Sequence, residues 1–404
     1  MNTSFILIAA LGAVIFSQQQ SGSPANADEA PVRQEIRTIE KLLPQLPDRA
    51  PALFQLARYY AHLGDLKKGM SLLRECMSLH EGFNPESDPA FDRLKSDPEF
   101  KSLVEQVRRE FPPVHRARLA FTIPQNDLIP EGLAVDPRRH FFYLGSLSRR
   151  KIIKISRTGK VSEFVPAGRY KLQSICGIKV DRHNGEVWAN TCSDDGKGAE
   201  LLHFDINGKL LEQFNQSTPG PHLFNDLVLR NGDEIYLTDS LAQQALRFDR
   251  KTHVFAALPV PRPLYYPNGI ALSGDGNLLY VADAFGVIEY DLRRQKALEV
   301  DPGASNTLSG FDGLYWYRGS LVGIQNSMGM PRVTRFQLSA DGSRVTSTII
   351  LEYRSDYVQL PTTGAIDGDR FYFMANTQID NWKNGQIFDP KKLKPVRIAV
   401  LRLL

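Results

Sequence analysis

The chain has 404 residues, 42% of them apolar and 23% charged, a balance that excludes wholesale disorder and collagen-like or low-complexity polymers. A formal net charge of +4 is too small to require nucleic acid or an anionic membrane as a partner. Three cysteines, Cys76, Cys176 and Cys192, can neither staple a small fold nor build a thiolate metal centre, so the chain must rest on an apolar core.

The first predicted element is the apolar run FILIAALGAVIF, Phe5 to Phe16. A membrane-spanning helix needs about 20 such residues, so this run fits the core of a signal peptide. Ala25-Asn26-Ala27 supplies a small-residue cleavage site, although no Lys or Arg precedes the run. The expectation is a leader over residues 1–27 and export to the periplasm or outside the cell, with a membrane-anchored N-terminus as the alternative. Export implies an oxidising compartment.

Residues 28–115 carry a helical period. Leu53, Leu56, Ala57 and Tyr60 share one face, Gly64-Asp65 breaks the pattern, and Gly69, Leu73 and Cys76 recur on a second helix. Asp88-Pro89 and Asp97-Pro98 each place a capping carboxylate before a proline suited to the first helical position. The pattern resembles one tetratricopeptide repeat. A lone repeat cannot bury its own face, so this piece is either a cap packed on the larger domain or a module that binds a protein partner. His62, His80 and His115 are scattered without ligand spacing.

From residue 118 to 404 the text changes to short β-branched and aromatic runs. Six segments align: PEGLAVD, CGIKVD, FNDLVLR, PNGIALS, FDGLYWY and TTGAIDG. Their aligned residues Gly132, Gly177, Asp226, Gly269, Gly313 and Gly364 are separated by 45, 49, 43, 44 and 51 positions. Strand-rich units at this period predict a mainly β, six-bladed β-propeller behind a small α-helical N-terminal domain. RLAFTI (118–123) should complete the last blade and close the ring, since an open sheet edge is a liability.

Equivalent positions in such a repeat lie on a circle. The residue before each aligned Gly or Asp is Glu131, Cys176, Asn225, Asn268, Asp312 and Thr363 in turn. Turn chemistry at strand entries explains any one of these. Four oxygen donors at one register, two of them anionic, instead suit Ca²⁺, which takes about six to eight oxygen ligands. Nothing resembles the His or Cys cluster of a zinc or copper site.

The phrases PEGLAVD, FNDLVLRNGDEIYLTDS, PNGIALSGDGNLLYVAD and FDGLYW resemble the senescence-marker/gluconolactonase family, which is related to the paraoxonases and more distantly to strictosidine synthase. The resemblance covers residues 118–404. It implies a Ca²⁺-like divalent ion held by Glu131, Asn225 and Asp312, with Asn268 as an added paraoxonase-type ligand, and Asp312 as catalytic base. Two departures stand out: Gly313 follows Asp312 where paraoxonases have asparagine, and Cys176 occupies the substrate-side position of blade two.

Hairpin register further sets Asp239 near Asn225, Asp283 near Asn268, Gln325 near Asp312 and Asn376 near Thr363, as groups to orient amides or hold water. His222 precedes Asn225 by three residues and is a candidate proton-transfer group. Around a turn centred on Asn184, Cys176 and Cys192 face one another, which allows a disulfide if the strand has no bulge, or two reduced thiols. The expected function is an exported, calcium-dependent lactone or ester hydrolase. The alternative is a non-catalytic, metal-stabilised propeller that serves as a binding module.

Overall fold

The computed structural model describes residues 29–193, 196, 198–230, 232–383 and 385–403. The leader expected over residues 1–27 lies outside them. No helix among the described residues is long and apolar enough to cross a membrane.

Among the described residues four α-helices come first: α1 (Glu29–Leu42), α2 (Ala50–His62), α3 (Leu66–Met77) and α4 (Pro98–Glu110). Gly64, at φ +85°, ends the α2 turn in the left-handed region that glycine tolerates. Asp65 then caps α3 by accepting from Lys68 N at 3.0 Å. Asp97 caps α4 through Glu99 N at 2.7 Å and Phe100 N at 3.3 Å, while Asp88 caps only a short 3₁₀ segment, Pro89–Leu94. The helical core of Leu53, Phe54, Leu56, Leu73 and Phe91 continues onto Phe285 and Met328 of the larger domain. The helical piece is therefore packed on the propeller, as a cap would be.

The rest is a six-bladed β-propeller. Blades one to five are consecutive antiparallel sheets whose inner strands are Pro130–Val135, Ser174–Val180, Phe224–Arg230, Ile270–Leu272 and Phe311–Tyr317. Blade six holds Gly364–Asp367, Arg370–Met374 and Val396–Arg402, and Arg118–Ile123 is its outer strand. The early strand thus latches the last blade. Val114–His115 adds a fifth strand to blade five.

Closure shows in the packing. One buried apolar cluster lies between each neighbouring pair of blades, from blades one and two (Tyr143, Ile152, Ile175, Val187) round to blades six and one (Met374, Ile398, Phe142, Leu144). Each fully buried large side chain contributes roughly 1.5–3 kcal/mol, and an unlatched sixth blade would expose two of these faces.

Candidate functional site

The ring positions owe their direction to β-bulges. Along four inner strands the pairing jumps by one residue: between Pro130 and Leu133, Ile175 and Ile178, Phe224 and Leu227, and Phe311 and Leu314. Two residues oppose one at each step, which kinks the strand and re-aims its side chains. The bulged pairs are Glu131-Gly132, Cys176-Gly177, Asn225-Asp226 and Asp312-Gly313.

Close approach between neighbouring blades explains the glycines. A Cβ on Gly132 would stand 2.1 Å from the Cys176 carbonyl oxygen, one on Gly177 2.7 Å from that of Asn225, and one on Gly269 2.8 Å from that of Asp312. Neighbouring inner strands approach backbone to backbone at the axis, so glycine here serves close packing more than turn geometry. Blade three alone breaks the rule with Asp226.

Asp312 is 2% exposed and held on both oxygens. Asn268 Nδ2 donates to Oδ1 at 3.0 Å, and Asn326 Nδ2 donates to Oδ2 at 2.6 Å. Burial pushes its pKa up to about 6; the two amides pull it down and the Asp226 charge raises it. Burial, then the negative charge of Asp312, also holds Glu131 well above the usual carboxylate range. Asn225 donates to Ser240 Oγ at 3.0 Å, and the Thr363 hydroxyl donates to the backbone oxygen of Glu131, tying blade six to blade one.

Beneath the ring, Asp226 accepts from Lys179 Nζ and Leu227 N, both at 2.8 Å, and Lys179 lies 5.6 Å from the centre of the Tyr315 ring. Asp226 is thus a third carboxylate of the channel. Its signal in the sequence was a charged residue where five other blades share a different register residue, glycine. Tyr266, half-buried and at φ +52°, has its phenol pushed up by burial and by the charges of Asp312 and Glu131, which places it against the same ring.

The donor set can be tested against a cation. Glu131 Oε2 and Asn268 Oδ1 are buried without a hydrogen-bond partner among the described residues, an expensive state for polar atoms. Two carboxylates crowd each other there, and Lys179 is bound to the third, Asp226. Among the described residues no three His, Cys, Asp or Glu side chains are grouped to hold a metal by themselves. Amide oxygens would have to complete the shell, which is the chemistry of a hard cation such as Ca²⁺.

The other expected residues lie close to the ring but serve the loops above it. The bulge sets Asp239 opposite Phe224 and Gln325 opposite Phe311, one residue short of the register expected. Asp239 accepts from Leu223 N at 2.9 Å and contacts His222 Nδ1 at 2.6 Å. Asp283 holds Arg262 and the backbone N–H groups of Tyr265, Phe285 and Gly286. Asn376 ties Pro395 O to Arg397 N. Gln325 donates to Thr307 O and Ser309 O. Asn326, just beyond it, is the residue that meets Asp312. His222 is 3% exposed, and its Nε2 lies 2.9 Å from Thr218 O. With both ring nitrogens engaged, it braces the loop.

The bulge equally moves the cysteine register, so that Cys192 pairs with Ser174. Cys176 is nevertheless joined to Cys192 by a disulfide, with Cα atoms 6.5 Å apart. The bulged backbone turns Cys176 back along the hairpin, and Cys76 remains a buried free thiol.

Two elements roof the ring. The helical piece sits on the loops of blades four and five. The segment between Met374 and Val396, with its small hairpin Trp382–Lys383 and Gln386–Ile387, packs on Ile129, Leu147 and Cys176. Between the roofs opens a cleft of about 940 Å³, lined by Ser87, Arg354, Gln359, Leu360, Asn376 and Phe388 among others. None of the six ring residues lines this cleft; Asn376 and Leu360 are the lining residues that belong to the blade-six end of the ring face.

No protein-family model and no curated protein matches the chain in sequence. Solved structures do match in fold. The chain is similar to the PQQ-bound aldose sugar dehydrogenase of Streptomyces coelicolor, at 15% identity and a TM-score of 0.50, over 72% of this chain and 99% of that one. It is equally similar to a gluconolactonase of Xanthomonas campestris, at 15% identity and a TM-score of 0.50, over 72% of this chain and 91% of that one. A dehydrogenase and a lactonase on one scaffold establish the propeller and leave the chemistry to the site.

Proposed function

We propose that this protein is a divalent-cation-dependent hydrolase of lactones or esters, with Ca²⁺ as the expected ion and Glu131, Asn225, Asn268 and Asp312 as its ligands. The observation that carries the reading is the pair of buried, mutually repelling carboxylates, Glu131 and Asp312, beside the unpartnered atoms Glu131 Oε2 and Asn268 Oδ1. The fold-level likeness to a gluconolactonase agrees with it.

A bound divalent ion supplies Lewis acidity that polarises the substrate carbonyl. Asp312, buried at the ring and fixed by two amides, is placed to take a proton from the attacking water. The water oxygen bonds to the carbonyl carbon, the acyl C–O bond breaks, and the departing oxygen receives a proton, giving a hydroxy acid from a lactone. Asn268 and Asn326 fix the carboxylate of Asp312, and the roofs restrict water around it. The cleft is large enough for more than a single sugar-sized ring. The Cys176–Cys192 disulfide supports an oxidising, exported location.

The same disulfide favours a second reading, a metal-stabilised propeller that binds without turnover, because it removes a free polar group from the blade-two ring position. A panel of aldonolactones, acyl lactones and aryl esters, assayed with and without chelator, decides. Chelator-sensitive turnover lost in Asp312→Ala supports the hydrolase, and cation binding without turnover on every substrate sinks it.

A further inference from the structure

We infer that Arg58, on the helical piece, is a positioning residue for Asp312 of the propeller, so that the helical cap forms part of the site. The inference rests on reading the ring as the functional centre.

Arg58 is held in place on its own side. Its Nε meets Asp88 Oδ2 at 2.6 Å, with side-chain exposures of 15% and 6%, and its guanidinium lies 4.5 Å from the centre of the Phe54 ring. From there Nη1 crosses to the propeller and donates to Ser327 O at 3.2 Å. Asn84 N donates to Met328 O at 2.9 Å, and Ser87 Oγ to Gly329 O at 3.4 Å. Three consecutive carbonyls of this loop are therefore satisfied from the helical piece, where unpaired buried carbonyls would be costly. Gly329, at φ +85°, passes so near that a Cβ would stand 1.9 Å from Asn84 O.

The loop matters because of the residue that begins it. Asn326 donates Nδ2 to Asp312 Oδ2 at 2.6 Å and to Pro361 O at 3.0 Å, and Ser327 Oγ donates back to Asn326 Oδ1 at 3.2 Å. That last bond fixes which way the amide faces. The path from Arg58 to Asp312 runs from the Ser327 carbonyl along Ser327 itself to its hydroxyl, which holds the Asn326 amide that bonds Asp312.

The test uses the full chain, stripped of cations and titrated with Ca²⁺ by calorimetry, alongside kcat and KM on any lactone that is turned over. Arg58→Met and Asn326→Ala should each weaken Ca²⁺ by about fivefold or more, and the double variant should be no weaker than the worse single, because both act through one contact. Arg58→Lys should recover part of the loss. Leu73→Ala, buried in the same helical core, should lower the melting temperature without changing Ca²⁺ affinity, which separates positioning from mere destabilisation. Wild-type affinity in Arg58→Met, or losses that add in the double variant, overturns the inference. Coupled Ca²⁺ affinities without turnover leave it standing and remove the hydrolase reading. If the wild type takes no Ca²⁺ at all, hydrogen exchange at residues 326–329 decides, and exchange unchanged in Arg58→Met overturns it.

Discussion

Asn326 and Asp312 are joined at 2.6 Å across the turn where the inner strand of blade five leaves its partner. The bulge at Asp312-Gly313 makes this possible: without the extra residue, Asp312 would be drawn towards Gln325, which is spent on Thr307 O and Ser309 O. The amide and the carboxylate together form a buried acceptor site with its donors in place.

The first expectation concerns cation binding at that site. Adding Ca²⁺ to chelator-treated protein should raise its melting temperature, by about 2.7 kcal/mol of stabilisation at a hundredfold excess over Kd. Glu131→Gln or Asp312→Asn should abolish most of the shift. In a hydrolase, Asp312→Asn should also lower kcat by about 10²–10⁴-fold, the usual worth of a general base. Thermal scans and initial rates on the same preparations check both.

Backbone approach at the axis can be tested by adding one carbon. Gly132→Ala would place its Cβ 2.1 Å from the Cys176 carbonyl oxygen, where the clash is with main chain and cannot be relieved by a rotamer. A loss of about 3 kcal/mol or more is expected in urea denaturation. Gly274→Ala, whose nearest neighbour is Trp316 Nε1 at 3.3 Å, should cost far less.

Reduction of the Cys176–Cys192 bridge should cost stability through the loop it closes. The cysteines are 16 residues apart, and closing a loop of about 15 residues is worth about 3 kcal/mol in chain entropy. Denaturation with and without reductant measures this. The native oxidised protein should show no reactive thiol, because Cys76 is buried.

His222 supplies a pH dependence. Its bond to Asp239 raises the imidazole pKa above the usual value, against the opposing effect of burial. A raised histidine stabilises the fold fully below the unfolded-state pKa of about 6.5, and the contribution is lost as pH rises through the folded value. The stability gap between wild type and His222→Gln should be widest at acid pH and narrow on the alkaline side. Melting temperatures from pH 5 to 9 give the answer.

Much of the fold was legible in the chain. Repetition at 43 to 51 residues is a one-dimensional property, and each unit supplies one blade; the outlying run RLAFTI had only one unfilled edge to occupy. The equivalent positions of Glu131, Asn225, Asn268 and Asp312 on successive inner strands were legible for the same reason, since rotation about an axis maps register onto position. Asn326 and Asp226 were missed because simple hairpin arithmetic assumes one residue opposite one. A bulge breaks that count, and its place depends on how closely the neighbouring strand approaches.

The sequence by itself determined the propeller, the capped helices and the set of oxygen donors, because periodicity, capping and residue chemistry are local. Only the tertiary structure decided which of those donors meet. The bulges turned Asp312 onto Asn268 and Asn326, set Asp226 against Lys179, and brought Cys176 back to Cys192. The helical piece, separated in sequence from blade five by more than two hundred residues, meets the loop that follows Asn326 through Arg58 and the carbonyl of Ser327. Such contacts depend on packing between surfaces, and no spacing along the chain records them.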